Sequence, residues 1–394
     1  MIGSGWRERR GLIVSTLGIT QTLAWGSTYY LPAIFADPIS ADLHLSREWF
    51  FGIFSGALLL SGLLGPLAGR TIDRHGGRDV LAATNLLFAS GLALLSAASG
   101  VTGQAAAWSV LGIGMGFGLY EAAFATVAGF YGRGARNAIT GITLFGGFAS
   151  TLAWPAGSFC IGAFGWRDAC LAWAAVHLLI ALPMNRFLLP KAPPPAPEKL
   201  PPGVEPAATI SWTMIVLACV FGATWFVSAA LAAHLPRLLE AFGASTAAAV
   251  FAASLVGPAQ VAARLAEFTF LRRGSPMISA RLATILHPIG AALLSLFGPV
   301  AAVPFVLLHG SGNGLLTIAR GTLPLALYGA AGYGLRTGLL AAPARILQGA
   351  APLLFGLVLD RSGPLAALLL SGSLMGLSFL ALLALRPPAR NLSL

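Results

Sequence analysis

Charge is scarce in this chain: Asp, Glu, Lys and Arg make up 9% of its 394 residues, against 57% for the hydrophobic types. A soluble domain devotes about a quarter of its residues to charge because its surface faces water, so that class is excluded. Cysteine is scarcer still, and Cys160, Cys170 and Cys219 show no spacing of a zinc site or a disulfide framework. They read as small apolar core residues. No Ser-His-Asp set, metal cluster or cofactor loop is legible. The glycine triplets GIGMG (112–116) and GSGNG (310–314) have no strand before them, which removes the nucleotide-loop reading and leaves close helix packing through small residues. The expectation is a protein that is not an enzyme, with no cofactor, no metal and no ATP-driven step.

What is abundant is hydrophobic length. Mean hydropathy is +0.81, and apolar runs long enough to cross a hydrocarbon core about 30 Å thick recur twelve times. We place spans 1 to 12 near 11–35, 49–69, 79–99, 103–130, 138–163, 168–189, 209–235, 246–270, 277–297, 300–328, 337–359 and 364–385. The fold class that follows is an all-α membrane protein.

The net charge of +11 would suggest a nucleic-acid partner in a soluble chain. Here its distribution obeys the positive-inside rule instead. With the N-terminus in the cytoplasm, 17 of the 24 Lys and Arg fall on cytoplasmic segments or helix ends. Arg47, Arg167, Arg237 and Arg361 fall outside, and Arg264, Arg320 and Arg345 fall within spans. This predicts a multi-pass protein of a bacterial inner membrane with both termini cytoplasmic. WRERRGLIV (6–14) resembles the start of a signal peptide, but the apolar run behind it is too long, so it reads as an uncleaved first span. The expected partners are the bilayer and a small molecule, with no nucleic acid and a monomeric chain.

Residues 190–208, PKAPPPAPEKLPPGVEPAA, contain eight prolines and cannot form a membrane helix. They read as a cytoplasmic linker between an N-terminal six-helix bundle (1–189) and a C-terminal one (209–394). The halves repeat weakly. GIGMG returns as GSGNG, YGRGARNAITG (131–141) returns as YGAAGYGLRTG (328–338), and Pro155 answers to Pro352. Parallel halves of this kind are a transporter architecture.

The charged stretch GRTIDRHGGR (69–78) lies between spans 2 and 3, where Gly69, Asp73, Arg74, Gly76 and Arg78 form G-x-x-x-D-R-x-G-x-R. With twelve spans, a central linker and repeating halves, the chain resembles the major facilitator superfamily over its whole length. The resemblance implies alternating access and a cytoplasmic gate, in which Asp73 accepts hydrogen bonds from the N-terminus of span 11 near Thr337 and Gly338 and the arginines meet nearby carboxylates. Obedience to the positive-inside rule is the other account of Arg74 and Arg78. The matching motif in span 8 is degraded and aligns in two registers, one on Arg264 and Glu267, the other on Arg272.

FYGRGARNAITG, Pro155 and GWRDA (165–169) look like the monocarboxylate and oxalate/formate branch, which implies a substrate carboxylate held by an arginine on span 8, near Arg264. Two departures are Gln260 where that branch has an acid and a first span reading LAWGSTYY. TQTLAWGSTYYLPAIF (20–35) also resembles members that accompany arsenic resistance.

Ionisable residues inside spans are functional candidates by default. Arg320 lies eight residues from the exit of span 10, roughly 12 Å deep, with Arg264 and Arg345 in spans 8 and 11. A guanidinium fits a carboxylate bidentately, which favours an anionic substrate. Glu121 and Glu267 are the proton-coupling candidates. The alternatives are a static bridge between Arg320 and Glu121, a local pair of Arg264 with Glu267, and an Arg345 turned toward the linker side. The resemblance implies that spans 1, 4, 7 and 10 line the substrate path. Span 1 carries Gln21, Trp25 and Tyr29 at i, i+4 and i+8, and span 10 carries His309 and Asn313 at i, i+4. Both sets read as ligand-facing or as plain packing, whereas His177 and His287 read as packing polar groups. The expected function is secondary transport of a small organic anion, proton-coupled. The alternative is efflux of a toxic arsenical or drug.

Overall fold

The computed structural model describes residues 9–191, 209–271 and 274–385, so the proline-rich linker from 192 onward and the Arg272–Arg273 loop lie outside the described residues. Among the described residues there is no strand. Lipid offers no partner to a backbone N–H or C=O, so segments this apolar satisfy those groups internally, as helices.

In the first half these are α1 (Arg10–Ser27), α2 (Pro32–Asp42), α3 (Arg47–His75), α4 (Gly77–Ser96), α5 (Gly100–Gly118), α6 (Tyr120–Tyr131), α7 (Arg136–Gly146) and α8 (Ala149–Val176). The second half holds α9 (Trp212–Ala241), α10 (Thr246–Ser254), α11 (Val256–Ala266), α12 (Pro276–Phe297), α13 (Ala302–Tyr328) and α14 (Tyr333–Ala384). Seven helical stretches are long and apolar enough to cross a membrane. Several join more than one predicted span: Gly100–Leu188 holds spans 4 to 6, Pro276–Tyr328 spans 9 and 10, and Tyr333–Ala384 spans 11 and 12. The remaining predicted span is α1, made more polar by Gln21 and its hydroxyl residues.

The helix ends have local causes. Ser46, Ser211 and Ser245 cap α3, α9 and α10 by accepting the N–H of Trp49, Met214 and Ala248, and Pro276 supplies a pre-set φ at the start of α12. Spans 1 and 4 are broken, unlike the straight helices expected. α1 stops at Ser27, where Thr28 leaves the helix (φ −126, ψ −81) and the Tyr30 N–H reaches back to the Trp25 carbonyl at 3.0 Å. Pro32 then opens α2 in its first turn, where a missing N–H costs no helical bond and the fixed φ suits the helix. Span 4 parts at Leu119, which is extended (φ −86, ψ −166). Spans 7 and 10 remain continuous as α9 and α13.

The described residues fall into two compact units, 1–208 with 330–342, and 209–329 with 343–394. The first turns of α14 thus pack with the N-terminal unit, where the sequence boundary placed all of span 11 in the second half.

Each unit repeats the other's internal geometry. The backbone takes positive φ at His44 and Gly243, Gly100 and Gly298, Gly132 and Gly329, and Gly165 and Gly363, pairs 197 to 199 residues apart. The glycine triplets repeat their packing as well. A Cβ on Gly112 would meet the Ala57 carbonyl at 2.8 Å, and one on Gly310 the Val256 carbonyl at 2.8 Å. Gly116 faces Ser61 and Gly314 faces Gln260 in the same manner. Span 8 therefore follows span 2 at an offset of 199, which resolves the two registers of the degraded motif. Asp73-Arg74 corresponds to Arg272-Arg273, and Arg264 corresponds to Gly65.

Candidate functional site

The N-terminal unit contains the clasp that the charged motif suggests. Asp73, in the last turn of α3, accepts the N–H of Gly334 on Oδ1 and that of Leu335 on Oδ2, each at 2.9 Å. The acceptors meet α14 one turn earlier than Thr337 and Gly338, because the helix begins at Tyr333 and not at 337. These are free first-turn donors at the positive end of the helix dipole, the natural place for a carboxylate. Gly69 and Gly65 make the approach possible: a Cβ on Gly69 would collide with the Gly334 carbonyl, and Gly338 lies against Gly65. Gly76 ends α3 with φ 78. Arg78 pairs with the adjacent Asp79 (2.9 Å), which Arg186 also approaches at 4.0 Å. Arg74 sits in the last turn of α3.

In the C-terminal unit two of the three intramembrane arginines converge. Arg345 of α14 and Arg320 of α13 place their Cζ atoms 4.2 and 4.6 Å from the ring centroid of Trp225 in α9. Trp225 is 5% exposed and Arg345 2%, and a cation over an indole away from water is worth about 2 kcal/mol. Arg345 also donates to Gln348 (3.4 Å) and Arg320 to Thr224 (3.3 Å). Arg345 thus packs on α9 of its own unit. The indole N–H of Trp225 is buried without a hydrogen-bond partner. Sequence reasoning missed Trp225; the available signal was Trp25 in the matching span, 200 residues earlier.

Arg264 stands apart from this pair. It donates to Gln260 and Thr317, both at 3.3 Å. Glu267 is wholly buried, accepts from Ser279 at 3.5 Å, and opens a π-helical turn that runs to Leu271. The pair His309 and Asn313 divides. Asn313 accepts from Ser228 of α9 at 2.8 Å, while His309 turns to α12, its Nδ1 lying 3.1 Å from Nδ1 of His287. His309 is 5% exposed, its ring against α12.

Span 1 supplies an aromatic cluster in the N-terminal unit. Trp25 packs against Tyr120 (4.9 Å), Tyr29 (5.1 Å) and Tyr30 (6.0 Å), and Tyr29 meets Phe54 at 6.1 Å. Tyr29 lies past the end of α1, so the three-residue helical stripe is not continuous. Gln21 donates to the Gly118 carbonyl at 2.7 Å, which satisfies an acceptor where span 4 breaks. Glu121 lies in the first turn after that break, half-buried. His177 is a satisfied packing group, as expected, between Ser27 Oγ (2.7 Å) and Asn85 Oδ1 (2.9 Å). No group of three or more metal-ligating side chains occurs among the described residues.

A family model described as Major Facilitator Superfamily matches residues 17–342. Among solved structures, the chain is similar to the human organic anion transporter MFSD10 (TETRAN), at 18% identity and a TM-score of 0.71, covering 95% of this chain and 99% of that one. The E. coli fucose:proton symporter FucP matches at 17% identity and a TM-score of 0.70, covering 94% and 97%. The proton:xylose symporter XylE bound to 6-bromo-6-deoxy-D-glucose matches at 14% and 0.70, covering 95% of each chain. No curated protein matches. The fold, the length of the family match and the transporter architecture of these neighbours converge: the chain belongs to the major facilitator superfamily and is a multi-pass membrane transporter, not an enzyme.

Proposed function

We propose that this transporter carries a small, monocarboxylate-like organic anion by alternating access, coupled to protons, in a bacterial inner membrane. In this reading it is a monomer with both termini in the cytoplasm. The observation that carries it is the donor set around Trp225: two guanidinium groups on one indole whose own N–H is buried and unpartnered. A buried donor without an acceptor is costly, and an oxyanion offers the acceptors that such a set requires. The printed name of one fold neighbour, an organic anion transporter, agrees with this class. Arg320, Arg345 and Trp225 are the proposed anion contacts, with Asn313 and Arg264 as further contacts of the same unit. Gln21, Trp25 and Tyr29 are the proposed ligand contacts of the N-terminal unit. Glu121 is the proposed proton carrier, with Glu267 second. The Asp73 clasp, with Gly69, Arg74, Gly76 and Arg78, is the proposed cytoplasmic gate.

One observation favours a second reading, efflux of a toxic aromatic compound or arsenical: the cluster of Trp25, Tyr29, Tyr30 and Tyr120 is a stacking surface without a net positive charge. Thermal unfolding of the purified protein against carboxylates, inorganic oxyanions, trivalent arsenicals and cationic drugs separates the two, since a ligand of the folded state raises apparent stability by mass action. The anion reading expects stabilisation by one carboxylate class, reduced in Trp225→Phe and lost in Arg320→Ala. Stabilisation by cations or arsenicals alone, indifferent to both substitutions, refutes it.

A further inference from the structure

The C-terminal unit holds a second titratable device that the anion site does not use. His287 of α12 and His309 of α13 meet Nδ1 to Nδ1 at 3.1 Å, 0% and 5% exposed, with Phe305 packed against both rings. Two Nδ1 atoms at this distance share one proton, so one ring donates and the other accepts. The other nitrogen of His287, Nε2, is buried without a partner. Were that nitrogen protonated in the neutral pair, a donor N–H would be orphaned in an apolar environment, the rarer and costlier arrangement. The tautomers follow: His287 carries its proton on Nδ1 and gives it to His309 Nδ1, and His287 Nε2 is a bare lone pair.

We propose that His287 Nε2 is a proton-binding site of the transporter, coupled to its cycle. A proton added there makes His287 an imidazolium that still donates through Nδ1–H to His309, so the bridge between α12 and α13 survives as a charge-assisted bond. The charged groups on the surrounding elements are Arg281 on α12, held by the Leu382 and Leu383 carbonyls, Arg320 on α13 at Trp225, Arg264 on α11 at Thr317, and the buried carboxyl of Glu267, which meets Ser279 of α12. Residues 364–384 of α14 carry none. Full burial opposes a positive charge in this state, so the site fills only in a state that admits water to α12. Conditional occupancy of this kind is what couples a proton to a conformational cycle.

The proposal rests on the chain being a transporter that moves protons, and two measurements separate its fate from that of the function proposed above. The first is nitrogen NMR of 15N-histidine-labelled wild-type protein in lipid nanodiscs. The expected spectrum contains one pair of imidazole nitrogens coupled through a hydrogen bond, absent in both His287→Asn and His309→Asn. On acidification of the still-folded protein, one bare nitrogen of that pair becomes protonated. Absence of the coupling, or a nitrogen that stays bare until the protein unfolds, overturns the proposal. The second is the proton count per transported substrate in liposomes. His287→Asn is expected to lose one proton per molecule while substrate exchange continues. An unchanged count overturns the site even if Glu121→Gln abolishes coupling. Titration of the pair in a wild-type protein whose transport ignores the proton gradient overturns both the coupling proposed here and the proton-driven reading, whereas an unchanged count beside proton-driven transport overturns the coupling at His287 alone.

Discussion

Asp73→Asn is the sharpest test of the clasp. The carboxylate takes two backbone N–H groups with two oxygens, at 2.9 Å each. An asparagine keeps one acceptor oxygen and presents an NH2 to the second donor, so one bond loses its charge and the other is replaced by a donor facing a donor. A hydrogen bond to a charged group is worth about 1.5–3 kcal/mol, and an orphaned donor costs about 1–3 kcal/mol. Allowing for relaxation of an N-terminal helical turn, the first turn of α14 should lose about 2–3 kcal/mol of local stability. That is about 30- to 140-fold in the equilibrium constant for local opening. Hydrogen–deuterium exchange of a peptide covering residues 330–338 reads this directly, because exchange from a local opening reports its free energy. Protection in that peptide should fall by this factor in Asp73→Asn, with α9 and α12 unchanged. Asp79→Asn, which removes an exposed partner of Arg78, should leave the peptide as it was. Unchanged protection in Asp73→Asn would refute the clasp. An equal fall in every helix would mean that Asp73 supports the whole fold and not this contact.

Two further substitutions probe polar bonds that hold each unit together. His177→Leu removes the shared partner of Ser27 Oγ and Asn85 Oδ1 at the break in span 1, leaving the Asn85 oxygen unsatisfied at about 1–3 kcal/mol and Ser27 with only its 3.4 Å bond to the Ala24 carbonyl. Thermal unfolding in detergent should show a clear drop, and a variant as stable as the wild type would show the network to be dispensable. Arg281→Ala removes the guanidinium that caps the carbonyls of Leu382, Leu383 and Leu385 at the end of α14. Exchange of residues 378–385 should rise in this variant, and Arg281→Lys should recover only part of the protection, since an ammonium lacks the fork that spans several carbonyls.

Elements that follow from local chemistry were legible without coordinates. Hydropathy alone demands helices, because lipid leaves the backbone no other partner, and the proline-rich segment and the charged motif mark the two halves and the clasp. The glycine triplets announced close packing, which the Ala57 and Val256 backbones confirm. The breaks were less visible. Span 4 parts at Leu119, a residue with no intrinsic aversion to helix, and span 1 parts at Thr28, four residues before the proline that accompanies it. Both depend on partners far away in sequence, Gln21 on the Gly118 carbonyl and His177 on Ser27.

Composition and motif spacing by themselves determined a helical membrane protein of repeating halves with arginines inside its spans, and its charged motif carried the resemblance to a transporter superfamily. Tertiary structure decided what each polar side chain does there. It gathered Arg320 and Arg345 on Trp225, sent Arg264 to Thr317, turned His309 to His287, and set Asp73 on Gly334 and Leu335, one turn before Thr337. The physical reason is range. Helix formation in lipid answers to the few residues on either side of a bond, whereas a buried charge or imidazole must find its partner wherever helix packing brings one within about 3 Å.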